Sequence, residues 1–204
     1  MHIADGVLSA PVLVGGGVLA AAGLAVGFRR MDDNDMPKVA LLTAAYFIAS
    51  TIHVPIGPAS AHLALNGFLG LILGWKAVPA ICIALILQTV LFRHGGITTL
   101  GVNTVIMALP AVMIHALCGP WLRRVRRRNV IGLIGFAAGV GGILLAALLA
   151  ATTLTLTGKE WQVIARLLIG IHVPVMIVEG VITAALIQFI ATMKPQLLDR
   201  PASA

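Results

Sequence analysis

Charge is what this sequence most lacks. Only 10% of its 204 residues are charged, while 59% are hydrophobic; a soluble domain carries roughly 25% charged residues. With a mean hydropathy of +1.03, that shortage excludes a water-soluble globular domain and leaves an integral membrane protein of several helices. Acidic residues are scarcest, seven in all, too few within the apolar runs for an obvious proton relay. The two cysteines, Cys82 and Cys118, lie in apolar runs, which argues against a disulfide framework. Nucleotide and hydrolase signatures are also missing. Thr157-Gly158-Lys159-Glu160 lacks the glycine and hydroxyl of G-x-x-x-x-G-K-[ST], so the chain shows no phosphate loop. Neither H-E-x-x-H nor G-x-S-x-G occurs. No secretory leader is read either, because no basic region precedes the first apolar run, which ends in Arg29-Arg30 without a cleavage pattern.

What is present is a series of apolar runs, at about 11–28, 39–53, 61–74, 77–92, 104–122, 130–151 and 173–193. The expectation is an all-α integral membrane protein with about seven transmembrane helices, forming a single domain over 1–204 whose tail, 1–10, inserts into the bundle. Between the runs lie a charged loop at 29–38, a proline break at 54–58, a Gly/Thr/Asn loop at 93–103 and a polar loop at 152–162. Residues 163–170 read as a segment along the interface or inside the protein.

The formal charge of +7 is read as loop charge that sets topology, not as a nucleic-acid footprint. Arg123, Arg124, Arg126, Arg127 and Arg128 belong on the cytoplasmic side. Seven spans then place Arg29, Arg30, Lys38, Lys76, Lys194 and Arg200 there too, leaving only Arg93, Lys159 and Arg166 outside. The N-terminus is expected outside and the C-terminus in the cytoplasm. The arginine cluster then faces anionic lipid or a cytoplasmic partner, or serves simply as a topology signal. In this frame His2, His53, His62, His94 and His172 fall near the outer face, and only His115 lies toward the inner half. Five histidines at one depth suit a cation site opening outward; anchoring at the membrane interface is the plainer alternative.

The opening Met1-His2-Ile3-Ala4-Asp5-Gly6 has a chemistry no internal position offers. The terminal amine, the His2 backbone nitrogen and the His2 imidazole can close around one metal ion as fused chelate rings. Planar nitrogen donor sets suit Ni(II) or Cu(II). The bland alternative is a frayed end. Inside the chain, Ser60-Ala61-His62-Leu63-Ala64-Leu65-Asn66-Gly67 stands out. His62 is expected to open a helix just after the proline break, with Asn66 one turn on and on the same face. His62 could then supply a fourth nitrogen, with Asn66 or Ser60 orienting its ring; the alternative is a glycine-rich packing motif with a satisfied polar pair. Asp5 could bond His2 or fix the tail through a turn. His53 could serve the site's mouth or anchor at the interface. Asn103 could support the loop around the site or cap a helix. Glu179 lies within the last run, where an ionised carboxylate is costly; Arg166 is its expected partner. His115 is read as a packing residue.

Three stretches carry a family resemblance: Met1-His2-Ile3-Ala4-Asp5-Gly6-Val7-Leu8-Ser9, Ser60-Ala61-His62-Leu63 through Gly74, and His94-Gly95-Gly96-Ile97-Thr98-Thr99-Leu100-Gly101-Val102-Asn103. Together they resemble the CbiM/NikM family, the membrane-embedded substrate-binding subunits of energy-coupling-factor transporters for nickel and cobalt. The resemblance runs through nearly the whole chain. It implies a metal ion held in a planar four-nitrogen set by Met1, His2 and His62, transported as substrate and not kept as cofactor. It also implies a prokaryotic cell membrane, a transmembrane coupling subunit, a pair of cytoplasmic ATPases and, in many systems, a small accessory membrane protein. The chain itself is then not an enzyme. The run Ala61-His62-Leu63-Ala64-Leu65-Asn66-Gly67 lacks the Gly/Ser richness of the cobalt branch, and a deprotonated backbone nitrogen suits Ni(II) better than Co(II); nickel is the expected substrate, with cobalt the alternative. A membrane metalloenzyme with outward histidines and a passive channel are the rival classes.

Overall fold

The computed structural model describes residues 2–51, 53–56 and 59–198, with the side chains of 53–56 and 59–61 outside that description. Among the described residues seven α-helices run in order: α1 Ala10–Arg29, α2 Met36–Thr51, α3 Asn66–Leu73, α4 Ala77–Phe92, α5 Leu100–Arg124, α6 Arg128–Thr157 and α7 Gln162–Met193. Between α2 and α3 lie two short strands, β1 His53–Ile56 and β2 Ala59–His62. They pair antiparallel with His53 opposite His62 and Ile56 opposite Ala59. The fold is therefore helical with one small hairpin, an element the apolar runs did not announce.

Five stretches among the described residues are long and apolar enough to cross a membrane: Ala10–Arg29, Asn66–Phe92, Leu100–Arg124, Arg128–Thr157 and Lys159–Met193. Their outer faces carry Val14, Val18, Leu133, Leu156 and Val181, all more than half exposed, a surface that suits hydrocarbon and not water. The expected third span differs. Helix α3 has eight residues, about 12 Å at 1.5 Å per residue, against a hydrocarbon core of about 30 Å. It does not cross by itself. All eight of its residues are buried, and the chain turns through Gly74 at φ 56° before entering α4. Close approach makes this central position workable. A Cβ on Gly142 of α6 would stand 2.7 Å from the Gly67 nitrogen of α3, so the two backbones meet where neither residue has a side chain.

The expected loop at 152–162 is mostly helix. Helix α6 continues to Thr157, and α7 is unbroken from Gln162. Threonine hydroxyls account for the extension: Thr152 donates to Leu148 O at 2.8 Å, Thr153 to Leu149 O at 2.7 Å and Thr157 to Thr153 O at 3.1 Å. A hydroxyl satisfied on the preceding turn lets threonine sit in an apolar helix. Helices α6 and α7 then form the most extensive helix pair of the bundle. At the ends of α2 and α4, Lys76 pairs with Asp35, which lies 3.7 Å from Lys38. Lys76, helped by Lys38, holds the Asp35 carboxyl below the usual range.

Candidate metal site

The tail ahead of α1 is fastened into the bundle. His2 is 4% exposed and Ile3 is fully buried. The Ile3 N–H donates to Asn103 Oδ1 at 2.9 Å, and Asn103 Nδ2 donates back to Ile3 O at 3.0 Å. The same carbonyl accepts the Thr99 hydroxyl at 2.9 Å. One side-chain amide thus satisfies both main-chain groups of a buried residue, as a strand partner would. Two residues on, the Asp5 carboxylate accepts the N–H groups of Ile97, Thr98 and Thr99 at 3.1–3.3 Å, together with the Thr98 hydroxyl. These bonds, that of the Thr98 hydroxyl foremost, hold the Asp5 carboxyl below the usual range. A side chain at Gly96 would collide with the Asp5 carboxylate.

The fastening delivers His2 to His62. The two rings stack with centroids 4.5 Å apart and planes 15° from parallel. His62 is 3% exposed. Its Nδ1 lies 2.9 Å from the Leu63 carbonyl oxygen, which only accepts, so this contact assigns the proton to Nδ1 and leaves the Nε2 lone pair available. That Nε2 is buried with no hydrogen-bond partner among the described residues.

His62 does not open a helix. It ends β2, and α3 begins at Asn66, because the intervening chain turns through Leu65 in the left-handed region at φ 50°. His62 and Asn66 therefore share no helix face. Asn66 is fully buried, and neither of its amide atoms has a partner among the described residues. Asn103 lies in the first turn of α5, inside the helix, and binds the tail. Glu179 does not pair with Arg166, which is exposed on α7. Its carboxylate accepts the N–H groups of Ala64 and Leu65. Met1 and the side chains of His53 and Ser60 lie outside the described residues. Of the other described histidines expected near the outer face, His172 lies within electrostatic reach of His62, and His94 stands apart from the stacked pair. His94 packs near Phe92 with centroids 5.8 Å apart, and His172 is buried in α7 with Nδ1 2.6 Å from Leu168 O. Among the described residues no three His, Cys, Asp or Glu side chains are grouped to hold an ion. A site here would rest on two imidazoles and main-chain nitrogen.

Thr98, Thr99 and Leu63 escaped the residue-by-residue reading. The signal was available for the threonines, since Thr98-Thr99 is a hydroxyl pair in a chain short of polar side chains. Leu63 acts through its carbonyl, which side-chain chemistry does not reveal.

An apolar helical bundle with a buried imidazole pair, one ring carried by an anchored tail, defines a multi-pass membrane protein. The chain belongs to the CbiM family, described as a cobalt uptake substrate-specific transmembrane region, whose model matches residues 2–197. It is a cobalt/nickel transport component and not an enzyme. It is 44% identical over 201 residues to a putative metal transport protein of Haemophilus influenzae, covering 98% of both chains. It is 30% identical over 209 residues to the putative fused nickel transport protein NikMN of Archaeoglobus fulgidus, covering all of this chain and 70% of that one. Among solved structures, the crystal structure of a truncated transition metal transporter superimposes with a TM-score of 0.81 at 28% identity, covering 93% of this chain and 98% of the other.

Proposed function

We propose that this chain captures Ni(II) as the substrate-specific component of an ATP-driven uptake system. The Met1 amine, the His2 main-chain nitrogen and His2 Nδ1 would form fused five- and six-membered chelate rings, and His62 Nε2 would complete a plane of four nitrogens. The observation that carries this reading is the His2–His62 pair, buried at 4% and 3% exposure and stacked at 4.5 Å. Burial strips water from the entering ion, and imidazole nitrogen is a ligand it accepts in exchange. The rings stack face to face, whereas a planar set needs their nitrogens to converge. Loading therefore brings the ring nitrogens of the pair into one plane. Asp5, Thr99 and Asn103 act by holding the tail.

The rest of the system supplies the energy. The sequence has no phosphate loop, which supports ATP hydrolysis on separate subunits, and a relative named as a fused nickel transport protein supports a membrane partner. The ion enters from outside, the loaded subunit reorients against a coupling subunit as paired ATPases turn over, and a small accessory membrane protein assists. Cobalt is the second reading, favoured by the family's description as a cobalt uptake region. The test is a titration of purified protein, with its native N-terminus, by Ni(II) and by Co(II), read by calorimetry and visible absorption. One-to-one nickel binding with a planar-nickel band is expected, lost in His2→Ala and in a variant with one residue added before Met1. Binding that survives either change overturns the reading; tighter binding of cobalt than of nickel reassigns the substrate.

A further inference from the structure

Glu179 is fully buried in the middle of α7, and among the described residues no cationic side chain forms an ion pair with it. Such a carboxylate is expensive in a membrane protein unless its charge is met. Here it is met by main-chain N–H groups. Leu65 N donates to both carboxylate oxygens, at 2.8 and 3.0 Å, and Ala64 N donates to Oε1. These are the residues that lead into α3, with Leu65 at its N-terminal boundary. Glu179 supplies the anionic cap that no side chain of the segment itself provides.

The peptide unit between Leu63 and Ala64 makes this more than a cap. Its N–H donates to Glu179, and its carbonyl receives Nδ1–H of His62. Carboxylate, peptide and imidazole are therefore joined in one hydrogen-bonded chain that ends at the buried Nε2 of His62. Hydrogen bonds in series polarise one another, and a carboxylate at the head of the chain makes the peptide oxygen a stronger acceptor. We infer that Glu179 is a positioning residue for the metal site, acting through the Leu63–Ala64 peptide to fix the His62 ring and tautomer and to raise the donor strength of Nε2. Carboxylates bonded directly to a ligand histidine do this in many metal sites, and their loss costs about 10–100-fold in affinity. In this chain a peptide is interposed, which lets a residue 117 positions away in sequence, on another helix, tune the ligand.

The inference rests on the nickel-site reading, so the experiment separates the two. The full chain with its native N-terminus is titrated with Ni(II) as wild type, His2→Ala, Glu179→Gln and Glu179→Asp. Affinity, the planar-nickel absorption band and the unfolding midpoint of the metal-free protein are recorded. Glu179→Gln is expected to weaken nickel binding about tenfold and to shift the band, since a neutral amide polarises the peptide less. Glu179→Asp, one methylene shorter but still charged, is expected to shift the band the same way and less; it carries the test if the glutamine variant does not fold. A lowered unfolding midpoint with wild-type affinity and band in both variants means a purely structural role and overturns the inference. If nickel binding survives His2→Ala, the tail-site reading fails and takes this one with it. If His2→Ala abolishes binding while both Glu179 variants bind like wild type, only the role of Glu179 falls.

Discussion

The two halves of the candidate site are held by the same kind of bond in opposite surroundings. On the tail side, the Asp5 carboxylate is exposed to solvent and accepts three amides and a hydroxyl. On the hairpin side, the Glu179 carboxylate is fully buried and accepts two amides. Water competes for the first and not for the second. The hairpin half is thus a fixed wall, and the tail half is a latch that can be undone without unfolding the bundle. Between the exposed Asp5 and the buried His2 sits the Ile3–Asn103 pair, the part of the latch that excludes water.

Breaking that pair should have the largest effect. Asn103→Ala leaves the Ile3 N–H buried without its partner, a cost of about 1–3 kcal/mol, or roughly a ten- to hundredfold loss of nickel affinity. Calorimetric titration checks it, and the α-helical circular dichroism should be unchanged. Asp5→Asn should come second. It keeps the shape and removes the charge at an exposed position, so the cost is below about 1 kcal/mol and the affinity loss is a fewfold. Its pH behaviour sharpens the contrast. The Asp5 carboxyl sits below its ordinary value in the folded protein, so its anchoring is complete above the ordinary value near 4 and is lost only as pH falls through the lowered one. Metal binding weakens earlier, because the terminal amine and the His2 main-chain nitrogen must give up protons to the solvent before they can hold the ion. At pH 5, amide exchange at residues 3–6 should therefore show a docked tail in a protein that no longer holds nickel; a tail released together with the metal contradicts the model. The smallest effect is expected at the far ends of α2 and α4. Asp35→Asn removes the partner of Lys76 and Lys38; it should lower thermal stability by less than about 1 kcal/mol and leave nickel affinity untouched.

Much of this was written in the chain. The apolar runs located α1, α4 and α5 closely, because a helix in lipid must be apolar along its length and ends where Arg, Lys or Gly-rich segments begin. Residue chemistry alone singles out His2 and His62, and their rings stack in the structure. The hairpin was not legible. His53–Ile56 and Ala59–His62 are four residues each, too short for a periodicity, and they are set by pairing with each other. The continuity of α7 was missed because Arg166, Gly170 and Pro174 look like punctuation, yet Pro174 lies inside the helix. Glu179 stands out in the sequence as a carboxylate within an apolar run, but Arg166 is not its partner. Its true partners are main-chain amides, which carry no letter in the sequence.

The bond between Ile3 and Asn103 spans one hundred residues of chain. During synthesis the tail emerges first, but the asparagine that receives it follows four helices later, and closing so wide a loop is entropically late. The pocket is then among the last features to mature, after the helices have inserted and packed. An ion bound there rewards the finished state and not the nucleus, so it should prolong the lifetime of the folded protein without hastening its formation.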